Sequence, residues 1–273
     1  MSTQHITVPD HVRAADVGPA TVIVNYRTGN VEILIGPAAR WWAELAITGN
    51  PDAPGALDAA SARTLLGQLG AAGLIVPTRR PRPWSPPVAG PPWVPSWGTH
   101  ELAAGRAEPV RAPLGVTMRA GLALAVVFGV LGGGRGRTRM ARLTRLLTWA
   151  ARCATDPASA EHARQAVHAV RRAGLLAPGR VACLEESAAV ALLLAVSRQR
   201  VTWCHGVAAD PVRLHAWVET DDGHPVAEPP STLRFTALRT IPVRNLGDEN
   251  DEREKGTDRV DSRGRCRTRP VLR

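Results

Sequence analysis

Eight prolines fall between residues 77 and 95: Pro77, Pro81, Pro83, Pro86, Pro87, Pro91, Pro92 and Pro95. Each fixes φ and lacks a backbone donor, so no continuous helix or central strand can cross this stretch. The 273-residue chain is therefore predicted to divide into a module at 1–77, an extended linker at 78–112 and a larger domain at 113–247. A hydrophobic share of 44% is ample for buried cores on both sides. Trp84, Trp93 and Trp97 are too many for a solvated linker, and at least one is predicted to dock on a domain. Residues 248–273 carry both charges and few apolar anchors, which predicts a disordered tail with Cys266 incidental to it.

The N-terminal module reads as short strands followed by helices. Thr21 to Tyr26 and Val31 to Ile35 are apolar runs separated by the turn Arg27-Thr28-Gly29-Asn30, and Val12 to Val17 supplies a third strand. A helix is predicted after Gly36-Pro37, with Trp41, Trp42 and Leu45 on its apolar face. A second is predicted after the capping Asp58, carrying Ala62, Leu65, Leu66 and Leu69 before Gly73 ends it. The turn, the segment Gly36-Pro37-Ala38-Ala39-Arg40-Trp41-Trp42 and the ending Leu69-Gly70-Ala71-Ala72-Gly73-Leu74-Ile75 together resemble the leader-recognition domain of peptide natural-product pathways. That family comprises winged-helix relatives of the pyrroloquinoline-quinone peptide chaperone. The resemblance implies a three-stranded sheet whose edge takes up a precursor's leader as an added strand. The leader-binding residues would be Val31, Glu32, Ile33 and Leu34 on that edge, with Arg63 and Leu66 on the neighbouring helix. The segment Thr48 to Leu57 departs from the family pattern.

A net charge of +10 suggests nucleic acid until it is located. Thirteen arginines stand against four acids between residues 86 and 180, so the excess is regional. No nucleic-acid motif or interleaved aromatic pattern accompanies it, and no nucleic-acid partner is expected. Four irregularly spaced cysteines do not make a disulfide framework, and the N-terminus lacks signal-peptide character. A cytoplasmic location follows as the expectation. The apolar run Ala120 to Leu131 covers 12 residues between Arg119 and a glycine stop, short of the ~20 that span a bilayer. It is predicted to be a buried core helix, and membrane association is not expected.

From Pro113 to Ala173 the pattern is helical, with apolar positions at Leu143, Leu146, Leu147 and Ala150 and again at Ala163, Val167 and Val170. The chemistry lies beyond. Cys183 opens an unbroken apolar helix, where the positive end of the dipole favours a thiolate. His215 follows in an apparent strand, and the turn Thr220-Asp221-Asp222-Gly223-His224 leads to Glu228. Nucleophile, base and orienting acid form the parts list of a cysteine acyl-transfer site. With Asp222-Gly223 as a two-residue turn, Trp217 pairs with Glu228, which makes Glu228 a better orienting group than Asp221 or Asp222. Cys204 and His205 are predicted to pack in a strand, and neither a metal nor a cofactor is expected.

The segment Cys183-Leu184-Glu185-Glu186-Ser187, the pair Gly206-Val207 and the run His215-Ala216-Trp217-Val218-Glu219 with Gly223, Val226 and Glu228 resemble the leader peptidase of lasso-peptide biosynthesis. This is a transglutaminase-like cysteine protease, and the resemblance covers residues 115–243. The family often places an aspartate where this chain has Glu228. The resemblance implies an α+β chain that binds a precursor's leader peptide and cuts it from the core with Cys183, His215 and Glu228. A separate asparagine-synthetase-like cyclase using ATP would then close the core. Two other functions fit the residues: amide transfer from the same thioester, and a non-catalytic leader carrier with a structural Cys183.

Overall fold

The computed structural model describes residues 5–51, 55–80, 82–91, 113–134, 136–209 and 212–243. Its first strands are β1 (His5–Thr7), β2 (Val12–Asp16), β3 (Ala20–Asn25) and β4 (Val31–Ile35). The turn between β3 and β4 closes on Asn25, whose side chain accepts the Arg27 backbone N–H at 2.9 Å. Gly29 there has φ 87°, a conformation open to glycine at little cost. Helices α1 (Pro37–Thr48) and α2 (Ala59–Ala71) follow. Pro37 lies in the first turn of α1, and the Asp58 carboxylate caps α2 through the Ala60 and Ser61 amides.

The proline-rich stretch contributes short extended pieces to the N-terminal sheets. Strand β5 (Val76–Thr78) pairs with β1, and β6 (Val88–Ala89) runs parallel to β2. The sheet thus has four strands in the order β4-β3-β2-β6, not three. Trp84 docks as predicted for one of the tryptophans: its ring meets Trp42 edge-on at 5.7 Å, and its backbone N–H donates to the Ala46 carbonyl at 2.9 Å. Trp93, Trp97 and the 248–273 tail lie outside the described residues.

All six residues of β3 are buried, because the sheet is covered on both faces. Side chains alternate across a strand. Ile23 therefore joins Leu34, Trp41, Trp42, Leu45 and Leu69 under the two helices. Val22 and Val24 point the other way, into a core shared with the C-terminal half. Tyr26 extends that contact, with its hydroxyl 2.7 Å from His205 Nδ1. The described residues up to Pro242 form one compact unit, and Val243 belongs to a second.

The C-terminal half begins with α3 (Leu114–Gly132), α4 (Arg139–Cys153), β7 (Asp156–Pro157), α5 (Ala160–Gly174) and α6 (Cys183–Val196). Strand β8 (Gln199–Arg200) pairs with β7, while β9 (Thr202–Ala208), β10 (Arg213–Glu219) and β11 (Thr236–Ile241) form an antiparallel sheet in the order β10-β9-β11. Helix α6 packs against α3, α4, α5 and β10. It is apolar nearly all round because it is covered nearly all round.

Helix α3 corrects the sequence reading. It runs 19 residues, not 12, and only 22% of its most apolar window is buried. Ala120, Ala123, Leu124 and Val127 face the core, whereas Leu114, Met118, Leu122 and Val126 are exposed.

Candidate active site

Cys183 is the first residue of α6 and is half-buried. The preceding Ala182 N–H donates to the Glu185 carboxylate at 3.1 Å, which fixes the helix start. The sulfur therefore sits at the positive end of the helix. Opposite it, β10 carries His215, which lines the same cleft as Cys183 and feels its side chain electrostatically. His215 Nε2 lies 2.8 Å from Glu228 Oε2, which leaves Nδ1 for the thiol. The three residues that the sequence marked as nucleophile, base and acid thus meet at one cleft. Asp221 is instead paired with Arg200, and Asp222 with Thr220.

The route by which Glu228 reaches His215 differs from the predicted one. Glu219 bridges to Pro225, and the Val226 N–H donates to the Val218 carbonyl, so Asp221, Asp222 and Gly223 together make the turn. The pairing is displaced by one residue from a two-residue hairpin. A one-residue slip alone would turn Glu228 to the wrong face. Ala227 breaks the alternation: its φ of 53° is unusual for a residue with a side chain, and the next residue comes to His215.

Sequence reasoning missed the group that holds this arrangement. Arg171 on α5 is buried, and its Nε donates to Glu186 Oε1 at 2.7 Å. Its Nη1 donates to the Ala227 carbonyl at 3.0 Å and its Nη2 to Glu228 Oε1 at 3.3 Å. One guanidinium thus fixes the orienting acid, the left-handed residue before it and the first turn of α6. The planar five-donor fork suits arginine and not lysine. A signal was present in the sequence: Arg171 lies eight residues after Ala163 and four after Val167, on the apolar stripe of α5. Thr232 adds a fourth restraint, donating its hydroxyl to Glu228 Oε2 at 3.2 Å.

Aromatic rings set the imidazole plane. Trp217 stacks on His215 with centroids 5.8 Å apart, and Phe235 tilts against it at 5.1 Å. The Trp217 indole N–H donates to Glu219 at 2.8 Å. Gly206 on β9 lets this layer close, since a Cβ there would lie 2.3 Å from the Thr236 carbonyl oxygen and 2.9 Å from the Trp217 ring. Beneath, the buried Trp203 indole donates to Ser187 on α6 at 3.0 Å.

Burial pulls the His215 pKa down, but the Cys183 and Glu228 hydrogen bonds and negative charges outweigh it and raise the value to about 9. The imidazole is held as a cation at neutral pH. His205, one strand away, is driven the other way, to about 4, by burial and by the charge on His215. It packs as a neutral ring between Tyr26 and Trp203.

Cys183, His215 and Glu228 open onto a cleft of about 620 Å³ walled by α5, β10 and the Ala227–Phe235 segment. This volume falls in the range of ligand-binding clefts. The predicted leader-binding residues lie elsewhere. Strand β4 is an edge of its sheet, with Glu32 and Ile33 exposed, Val31 half-buried and Leu34 buried. Leu66 shares the apolar cluster of Leu34, and Arg63 is exposed on α2.

No curated protein and no solved structure matches the chain. One family model does, that of the transglutaminase-like superfamily, over residues 119–240. The matched stretch runs from α3 to β11 and contains the thiol, the imidazole, the acid and Arg171. Residues 119–240 form a transglutaminase-like domain.

Proposed function

We propose that this protein is the leader peptidase of a lasso-peptide pathway, binding a precursor's leader and hydrolysing the bond between leader and core. The observation that carries the reading is the presence of Cys183, His215 and Glu228 together in the lining of one open cleft, with His215 hydrogen-bonded to Glu228. It is supported by the open edge of β4, where exposed Ile33 and Ile35 alternate with Glu32 and Leu34. Such an edge offers backbone hydrogen bonds to any extended peptide and selects among peptides through alternate side chains.

In this reading the Cys183 sulfur attacks the carbonyl carbon of the scissile amide, and the oxyanion is met by backbone N–H groups at the start of α6. His215 then gives its proton to the amide nitrogen. The C–N bond breaks, the core leaves with a free amine, and the leader stays as a thioester. The neutral imidazole takes a proton from water, whose oxygen attacks the thioester carbon. The C–S bond breaks and the leader departs as a carboxylate. Glu228 keeps the ring oriented throughout and stabilises its cationic form. The freed core amine is the group that a separate ATP-using, asparagine-synthetase-like cyclase would join to a side-chain carboxylate.

Mass spectrometry of a precursor peptide incubated with the protein, with cyclase and ATP added in a parallel tube, tests this. The expected result is one cut yielding a leader with a free carboxylate, absent with Cys183→Ala. A leader ending in a new amide would assign amide transfer instead. An intact peptide in every tube, together with tight leader binding by Cys183→Ala, would assign a carrier.

A further inference from the structure

Helix α3 presents an apolar ridge to the outside of the molecule. Leu114, Met118 and Leu122 are 74%, 76% and 68% exposed, and Val126 continues the row one turn on. Residues four apart lie on one helix face. The ridge borders a groove of about 750 Å³ between α3 and the segment after α5, lined by Leu114, Met118, Leu124, Phe128, Leu176 and Ala177. Leu175 and Leu176, 64% and 83% exposed, extend the apolar surface beyond it. Patches this large on a folded protein mark contact with a partner or a membrane.

The charge around the ridge narrows the choice. Between Pro113 and Ala182 the sequence has eleven arginines and two acids, Asp156 and Glu161, and of the arginines Arg171 is buried against Glu186 and Glu228 while Arg164 pairs with Glu161. Arg119 lies within α3 and Arg180 directly follows the groove, both exposed. A second copy would bring the same basic surface against itself, which like-charge repulsion opposes. An anionic surface is attracted. The helix is long and apolar enough to cross a bilayer, but Ala120, Ala123, Leu124 and Val127 are committed to the core. Against a bilayer it would therefore bury its outer face by lying in the interface and not by crossing.

We infer that the outer face of α3, with Leu175 and Leu176, seats the protein on an anionic lipid surface. Apolar side chains enter the acyl boundary while Arg119 and Arg180 meet the headgroups. This assignment is independent of the reaction proposed for Cys183.

Co-sedimentation of the full chain with phosphatidylcholine vesicles, and with mixed phosphatidylcholine–phosphatidylglycerol vesicles, is the test. Binding is expected to the mixed vesicles only and to weaken as salt rises. The double variant Met118→Glu, Leu122→Glu is expected to lose at least about tenfold in partitioning with an unchanged circular dichroism spectrum. Ile47→Glu, an exposed site on α1, serves as a control and is expected to bind as wild type. Absence of binding to mixed vesicles, equal binding to both compositions, or retention by the folded double variant would each overturn the assignment. So would concentration-dependent self-association, abolished by the double variant, in a protein that ignores vesicles.

Discussion

At the scale of single residues, His215 and Arg171 set the chemistry. With His215 raised to about 9 from its usual 6.5, the proton that the proposed cleavage would give to the leaving amine is present at neutral pH and lost above about 9. The rate of thiol-dependent cleavage is therefore expected to fall as pH rises through about 9. In Glu228→Gln the carboxylate charge is gone and the descending limb moves to lower pH, with a rate loss on the order of 10²- to 10⁴-fold. A pH–rate profile of both proteins checks this, and an unmoved limb would detach Glu228 from the imidazole. The same shift bears on stability. The His215 contribution is fully present below about 6.5 and lost as pH climbs through about 9. Arg171 answers to a different measurement. Its removal leaves Glu186 without this partner and Glu228 with an unmatched buried charge, and Arg171→Ala is expected to cost about 3–5 kcal/mol in denaturant unfolding. Arg171→Lys, able to pair but not to form the three-way fork, is expected to recover only part of it.

At the scale of elements, the active site depends on how closely β9, β10 and β11 approach. Gly206 faces His215 across β9 and β10 and accepts the Thr236 carbonyl and the Trp217 ring where a Cβ would stand. Because a backbone oxygen is the nearer obstacle, relaxation has to move β11 itself. Gly206→Ala is expected to lower stability by about 1–3 kcal/mol and to slow peptide cleavage with Cys183 still in place. Thermal unfolding and cleavage rates measured on the same preparation test this, and a fully active, equally stable variant would show that the layer is looser than drawn. Helix α6 is positioned with the same economy: Glu185 fixes its start, Glu186 ties it to α5, and Ser187 ties it to Trp203. These three consecutive residues lie within four positions of Cys183.

At the scale of the whole molecule, local features were legible and non-local ones were not. The β3–β4 turn, the capped α2, the Cys183 helix and the His215 strand each carry their signal within a few residues, as glycine, Asp58 or an apolar period. The pairing of β6 with β2 involves two residues some 70 positions apart, and no local pattern announces it. The hairpin slip and the left-handed Ala227 cancel one another, so a two-residue turn pointed to the same acid for an incorrect reason. The apolar period of α3 showed a helix, but hydropathy does not tell which side is covered. The two halves likewise share a core because Val22 and Val24 find partners in it, a fact of packing and not of composition.

The central claim is that Cys183 belongs to a working nucleophilic unit with His215 and Glu228. The rate of iodoacetamide alkylation at each cysteine, read by peptide mapping at neutral pH, tests it most directly. Among the described residues Cys153 is the more exposed thiol and Cys204 is buried, so accessibility alone ranks Cys153 first of these three. The account predicts that Cys183 reacts fastest and that Glu228→Gln slows Cys183 while leaving Cys153 unchanged. A Cys183 that reacts no faster than Cys153, or that is indifferent to Glu228, would contradict it.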